Sequence, residues 1–296
     1  MTPADLIVLT RGRWRAQINA RLGASLLDLS HAGAPVLRPA HAEALKALGV
    51  RAAACYPLVP YANRIAGARL PVAGRVYPLR ANFPPEPHAV HGVGWQRPWQ
   101  IVHADERSAE LILRYAPDAS ADWPFAFEAR QRFGLTARGL VLALSLHNLD
   151  RVAWPAGLGW HPYLTFEPGQ TLQFDAAGAW SNGVDRLPAQ LVCGPAWDFS
   201  HPRDIGALDL DHDFSGWRGL ARIRGGAIGT ILLRASAVFS VLRVFTPVSR
   251  GFFSVEPVTH IADSVHRPPS VITGYRQLDP GRTLAGTVAI ELEQAE

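Results

Sequence analysis

Apolar and polar positions along this chain alternate with a period of two far more often than with the 3.6-residue period of a helix. In Phe125-Ala126-Phe127-Glu128-Ala129-Arg130-Gln131-Arg132-Phe133 the aromatic and small side chains take one face and the charges mostly the other, which marks a half-buried strand. Thr136-Ala137-Arg138-Gly139 follows as a turn, with Gly139 supplying a positive φ. Leu140 to Leu146 then returns with its leucines on one side, so the two segments predict a long hairpin. The same alternation predicts strands over Arg13–Asn19 and Ala24–Leu29 around Gly23, and over Leu70–Val72 and Val76–Leu79 around Ala73-Gly74. Further strands are expected at Ala221–Arg224, Ile228–Arg234, Val238–Phe245 and Thr283–Leu292. One short helix is expected at His41–Leu48, between Pro39 and Gly49. Many short strands with 24 prolines and 26 glycines predict an all-β fold, a large antiparallel β-sandwich. With no linker, internal repeat or low-complexity tract, residues 1–296 read as a single domain.

Composition narrows the partners. At 296 residues, 48% hydrophobic and 18% charged, the chain can bury a sizeable core and is not disordered. No apolar run approaches the ~20 residues that span a bilayer. Met1-Thr2-Pro3-Ala4-Asp5 lacks the basic start and apolar core of a signal peptide, so a cytoplasmic address and no membrane partner are expected. Cys55 and Cys193 are the two cysteines; no disulfide framework is needed, and two buried or half-buried thiols are the expectation. The formal charge of +4 suggests nucleic acid at first sight. Lys46 is the single lysine, however, and the arginines are scattered without a basic run, so no nucleic-acid partner is expected.

Four Gly/Pro-punctuated segments concentrate polar residues beside predicted strands, where a rigid scaffold presents side chains into a cleft. They are Pro60-Tyr61-Ala62-Asn63-Arg64-Ile65, Ala89-Val90-His91-Gly92-Val93-Gly94-Trp95, Gly157-Leu158-Gly159-Trp160-His161-Pro162-Tyr163 and Ser254-Val255-Glu256-Pro257-Val258-Thr259-His260. Each alone has a plain reading: a turn histidine for His91, a structural histidine for His161, a surface cation for Arg64. Glu256 lies in an apolar stretch where an unpaired carboxylate is costly; it must be paired, protonated or working.

Taken together and in this order, the segments resemble the aldose 1-epimerase (galactose mutarotase-like) family. Tyr61-Ala62-Asn63-Arg64-Ile65 with Asn82 resembles that family's arginine motif, and His91-Gly92 its first histidine motif. His161-Pro162-Tyr163 resembles the second histidine motif, Asp211-His212-Asp213-Phe214 the substrate-binding aspartate motif, and Glu256-Pro257-Val258-Thr259-His260 with Asp263 the base motif. The resemblance implies a β-supersandwich and anomer interconversion of a free aldose without a cofactor. It implies Glu256 as general base, His161 as general acid and His91 as an auxiliary donor, with Arg64, its neighbour Asn63, and Asp211 binding hydroxyls. The partner implied is a monosaccharide, and the chain is expected to be a monomer or homodimer. The chemistry is coherent by itself: one base takes the C1 hydroxyl proton while one acid protonates the ring oxygen, and pKa values near the working pH serve both.

Other readings bear on the same residues. Asp209, Asp211 and Asp213 alternate onto one face, but the glycine and terminal glutamate of a calcium loop are missing. His88 with His91, and His260 with His266, lack the carboxylate pattern of a zinc site, so no metal is expected. Trp160 is a candidate for packing on the sugar's C–H face, with core filling as its alternative. A hexose-6-phosphate 1-epimerase would need an added cationic cluster, for which Arg69, Arg75, Arg80 and Arg97 are the candidates. A sugar-binding protein without turnover would be expected to lack the acid or the base, and both are present. The motif segments carry one arginine, Arg64, which points to an uncharged sugar.

Overall fold

The long hairpin forms where alternation places it. Phe127–Leu135 pairs antiparallel with Gly139–Asn148, running from Phe127 opposite Asn148 to Leu135 opposite Leu140. Gly139 has the expected positive φ, 158°, and opens the returning strand, where a Cβ would also meet the Ile290 carbonyl oxygen at 2.0 Å, so its backbone and the close neighbouring strand both require the glycine. The computed structural model describes residues 5–183, 185–248 and 251–293; Met1–Ala4, within the segment read as lacking a leader, lie outside them.

The predicted strands assemble into antiparallel sheets, as expected for an all-β sandwich. A nine-stranded sheet runs in the order Gln100–Ala104, Ser108–Tyr115, Phe127–Leu135, Gly139–Asn148, Thr283–Leu292, Gly229–Ala235, Leu220–Gly226, Thr171–Phe174 and Arg203–Asp204. An eight-stranded sheet runs Pro188–Val192, Gly178–Asn182, Asp211–Ser215, Val241–Phe245, Phe252–Val258, Gly159–Trp160 and Pro57–Leu58, with Tyr163–Thr165 also pairing onto Phe252–Val258. A four-stranded sheet covers Leu6–Arg11, Trp14–Asn19, Ser25–His31 and Ala34–Pro35. Val241–Phe245 starts later than the expected Val238 because the Phe239 amide closes a turn onto the Ser236 carbonyl. The short helix spans Ala42–Leu48, ends at Gly49 with φ 59°, and leads into a 3₁₀ turn at Gly49–Ala52. No helix among the described residues is long and apolar enough to cross a membrane.

Burial explains how the eight-stranded sheet comes to carry chemistry. Leu142, Leu144 and Leu146 of the hairpin share one buried apolar cluster with Phe214, Leu242, Val244, Phe253 and Val255 of the eight-stranded sheet. Because side chains alternate across a strand, the intervening positions face the other way: Asp211 and Asp213, then Arg243, then Ser254 and Glu256. Both cysteines are free. Cys55 is buried as expected, whereas Cys193 is exposed, since it lies just past the short edge strand Pro188–Val192.

Candidate active site

Three neighbouring strands set Asp213, Arg243 and Glu256 in one row: Asp213 is directly opposite Arg243, and Arg243 directly opposite Glu256. Side chains so paired lie close enough to interact across the sheet. Arg243 Nη1 donates to Asp213 Oδ1 at 3.0 Å, and Nη2 donates to Asp211 Oδ1. Asp213, Arg243 and Glu256 are buried and Asp211 is half-buried, and the buried guanidinium is held charged by its two aspartates. Asp211 stays below the ordinary carboxylate range because Arg243 and Arg64 outweigh its burial.

Glu256, 1% exposed, has no such partner of its own. Burial pushes its carboxyl up to about 8, and Asp211 and Asp213 add to the rise against the pull of Arg243. Oε1 lies 3.3 Å from His161 Nε2, and Oε2 has no hydrogen-bond partner among the described residues. His161 moves the opposite way, down to about 3, through burial first and then the positive charges of Arg243 and Arg38. Its tautomer follows from its other nitrogen. Ser254 spends its one O–H on the Pro162 carbonyl at 2.6 Å, so the 3.2 Å contact with His161 has Nδ1 as donor and Oγ as acceptor. Nε2 therefore turns its lone pair to Glu256. The raised carboxyl of Glu256 and the lowered imidazole of His161 place the proton between them on the carboxyl side.

The loops complete the cavity. His91 sits in the left-handed region, φ 64°, followed by Gly92 at 69°. Its Nδ1 accepts from the Asn63 amide at 3.2 Å, which leaves Nε2–H as the donor of the neutral ring. Burial, then His161, Arg64 and Arg243, keep that ring well below the ordinary imidazole value. His91 and His161 meet edge to face, centroids 5.4 Å apart. Arg64 is clamped through Nε and Nη2 by Glu86, both at 2.7 Å, and its Nη1 donates to Asn63 Oδ1 at 3.1 Å.

Asn63, Arg64, His91, His161, Asp211 and Glu256 all line one open cavity of about 760 Å³, a size suited to a small-molecule ligand. Trp160 does not join them. It is 1% exposed and packs on Phe239 with centroids 5.7 Å apart. The expectation that it lines the cleft is corrected by strand geometry: consecutive residues of an extended chain point to opposite sides, and His161 takes the cavity side. His260 and Asp263 also serve the fold. His260 Nε2 accepts from the Ala62 amide, and Asp263 Oδ1 accepts from the Ala66 amide and meets His266 Nδ1. Both brace the backbone on either side of Asn63 and Arg64.

Sequence reasoning missed Arg243, Glu86 and Ser254. Arg243 carried a usable signal: a charge in the apolar run Val241-Leu242-Arg243-Val244-Phe245 raises the same question that singled out Glu256. Glu86, in a proline-rich loop, and Ser254, one polar residue among several, carried none.

The Escherichia coli K12 protein YphB, itself uncharacterized, is 30% identical over 276 residues, covering 88% of this chain and 89% of its own length. A crystal structure of an Escherichia coli K12 protein superposes with a TM-score of 0.87 at 28% identity, over 98% of this chain and 99% of that one. A galactose mutarotase-like protein from Clostridium acetobutylicum gives 0.84 at 16% identity, over 97% and 95%, and shares the fold. The family model for aldose 1-epimerase matches residues 5–290, so the chain belongs to the aldose 1-epimerase family.

Proposed function

We propose that this protein interconverts the α and β anomers of an aldose by opening and reclosing the sugar ring. The observation that carries the reading is the buried His161–Glu256 pair on the cavity wall, 3.3 Å between Nε2 and Oε1, with Glu256 Oε2 free for a hydroxyl.

The reaction needs the shared proton on His161 and a carboxylate at Glu256. Glu256 takes the C1 hydroxyl proton, the C1–O5 bond breaks with its electrons going to O5, and His161 Nε2 supplies a proton to O5. The product is the open-chain aldehyde. Rotation about C1–C2 presents the other carbonyl face; O5 attacks C1, returning its proton to Nε2 while Glu256 returns one to O1. Protons and electrons balance, and no redox partner is called for. His91 Nε2–H donates to a sugar oxygen, and Arg64 and Asp211 bind hydroxyls, their orientation fixed by Glu86 and Arg243. Arg243 beside Glu256 favours the carboxylate once a bound sugar supplies it with hydrogen bonds.

The test is anomer exchange followed by polarimetry on purified protein. Glu256→Gln keeps shape but accepts no proton, so kcat falls by about 10²–10⁴ with KM little changed. His161→Asn costs a similar factor. Because the two act in one exchange, the double variant is much less impaired than the product of the single losses. A folded Glu256→Gln protein with near-normal turnover removes the carboxylate from the mechanism. Binding of sugars without any turnover in the unaltered protein would favour a sugar-binding role instead.

A further inference from the structure

The motif segments point to an uncharged sugar because they hold one arginine; the folded cavity is lined by five, Arg38, Arg51, Arg64, Arg186 and Arg243. None of Arg69, Arg75, Arg80 and Arg97 is among them. Arg80 and Arg97 pair with Asp122, and Arg75 stacks on Tyr77. Arg64 and Arg243 are matched by Glu86 and the two aspartates. Arg38, Arg51 and Arg186 form no ion pair among the described residues; Arg186 lies within electrostatic reach of Glu86 and Asp211, whereas Arg38 and Arg51 have no carboxylate partner there.

Arg38 is the informative one. Its guanidinium lies over the Tyr163 ring at 4.1 Å and the Phe252 ring at 4.6 Å. Nη2 donates to the Arg51 and Ala53 carbonyls, at 3.3 and 3.1 Å, while Nε and Nη1 have no hydrogen-bond partner among the described residues. A half-buried cation with unused planar donors, facing a cavity, is arranged to take an anion's oxygens. Burial lowers its pKa, so the charge is held at a cost that an anion would offset. Arg51, whose backbone is tied to Arg38 by that hydrogen bond, adds a second guanidinium over Phe83 at 5.0 Å.

Position decides which part of a sugar reaches them. His161 serves the ring oxygen, and C5 is bonded to that oxygen, so the exocyclic group on C5 lies next to His161. Beyond His161 comes Tyr163, centroids 4.5 Å apart, and on Tyr163 lies Arg38. We infer that the aldose carries an anionic group on its C5 side chain, a carboxylate, phosphate ester or sulfonate, bound by Arg38 with Arg51. The inference rests on the epimerase reading for its orientation. It also links binding to chemistry: Arg38 is one of the charges that hold His161 deprotonated, and an anion seated on it favours the imidazolium that the acid role needs.

Glucose, glucuronate and glucose 6-phosphate separate the possibilities when anomer exchange is measured by NMR. The unaltered protein is expected to show a kcat/KM at least about tenfold higher for one anionic sugar than for glucose. Preference for glucuronate assigns an anion fixed directly on C5; preference for the phosphate assigns one carried on a longer arm. In Arg38→Gln the anionic-to-neutral ratio of kcat/KM collapses toward one, chiefly through KM for the anionic sugar. Arg38→Lys, which keeps the charge, restores part of it. Should Arg38→Gln fail to fold, the unaltered protein still decides: KM for the anionic sugar rises with ionic strength while that for glucose does not. Glucose turned over as well as both anionic sugars, or a ratio unchanged in folded Arg38→Gln, overturns the inference and leaves the epimerase reading standing. Turnover of no sugar of either charge defeats the epimerase reading itself.

Discussion

At the scale of single residues, the site's chemistry is set by what burial does to two titratable groups. Glu256 keeps a proton up to about pH 8 in the folded chain, against an ordinary value of 4.5. Between those values the folded state binds a proton that the unfolded state has released, so this group's contribution to stability declines as pH rises from about 4.5 through about 8. His161 acts in the opposite sense: folded near 3 against 6.5, it lowers stability in acid and ceases to do so as pH climbs through 6.5. Glu256→Gln removes the first effect and can donate its amide hydrogen to Nε2, as the protonated carboxyl does. The variant is expected to be more stable than the unaltered protein above pH 8, on the order of a few kcal/mol, with the gap closing toward pH 4.5. Denaturant melts at several pH values measure it, and a pH-independent gap would contradict the assigned burial effect. The same one-proton pair gives kcat/KM a plateau through neutrality and a fall only above about pH 8, where a pair with ordinary values would fall from about 6.5. Glu256 was legible because a carboxylate in an apolar run must be explained. Arg38 was not: it precedes Pro39 in an unremarkable stretch, and only the folded chain shows which rings it covers.

At the scale of elements, local alternation revealed strands but not which strands lie side by side. Thr283–Leu292 was delimited from its pattern, as was most of each hairpin. The row Asp213–Arg243–Glu256 depends on register between three strands, and register between non-consecutive segments leaves no local mark. Loop geometry is intermediate. The glycine after His91 fits the plain reading of a turn, and the structure gives a further reason for it. At Gly92, φ 69°, a Cβ would lie 2.3 Å from the Val59 carbonyl oxygen and 2.5 Å from its carbon. That carbonyl already accepts the Val93 and Gly94 amides and leads into the Tyr61–Arg64 segment. Gly92→Ala thus strains the backbone and pushes His91 from Asn63. The expected loss is about 1–3 kcal/mol, with a raised KM. Gly74, at φ 79° in the turn between Arg69–Val72 and Arg75–Pro78, has open space around its Cβ position. Gly74→Ala should lose less, about 1 kcal/mol, and leave KM alone. Equal effects at the two glycines would show that φ alone, rather than the Val59 contact, sets the requirement at Gly92.

At the scale of the molecule, the order of strands brings distant parts of the chain side by side. Thr283–Leu292, at the far end of the described chain, lies between Gly139–Asn148 and Gly229–Ala235 in the nine-stranded sheet, bonded on both sides. Its Val288 and Ile290 are buried in the main apolar cluster. The cavity is equally dispersed: Arg64 and His91 come from the first third, His161 from the middle, Asp211, Arg243 and Glu256 from the last third. The absence of a linker in the sequence suggested one domain, but the interleaving of distant strands could not be read there, because strand order across a sheet depends on long-range pairing. The expectation is a single cooperative unfolding transition, coincident by tryptophan fluorescence and far-UV circular dichroism. A chain ending at Asp279 removes the strand at the sheet's middle, exposing two unpaired edges and the leucine face of the hairpin. It should fail to reach the native fold and lose activity, although every residue of the cavity is still present. Two resolved transitions in the whole chain, or a folded and active truncated chain, would show that the sheets stand as separate units and that the far strand is dispensable.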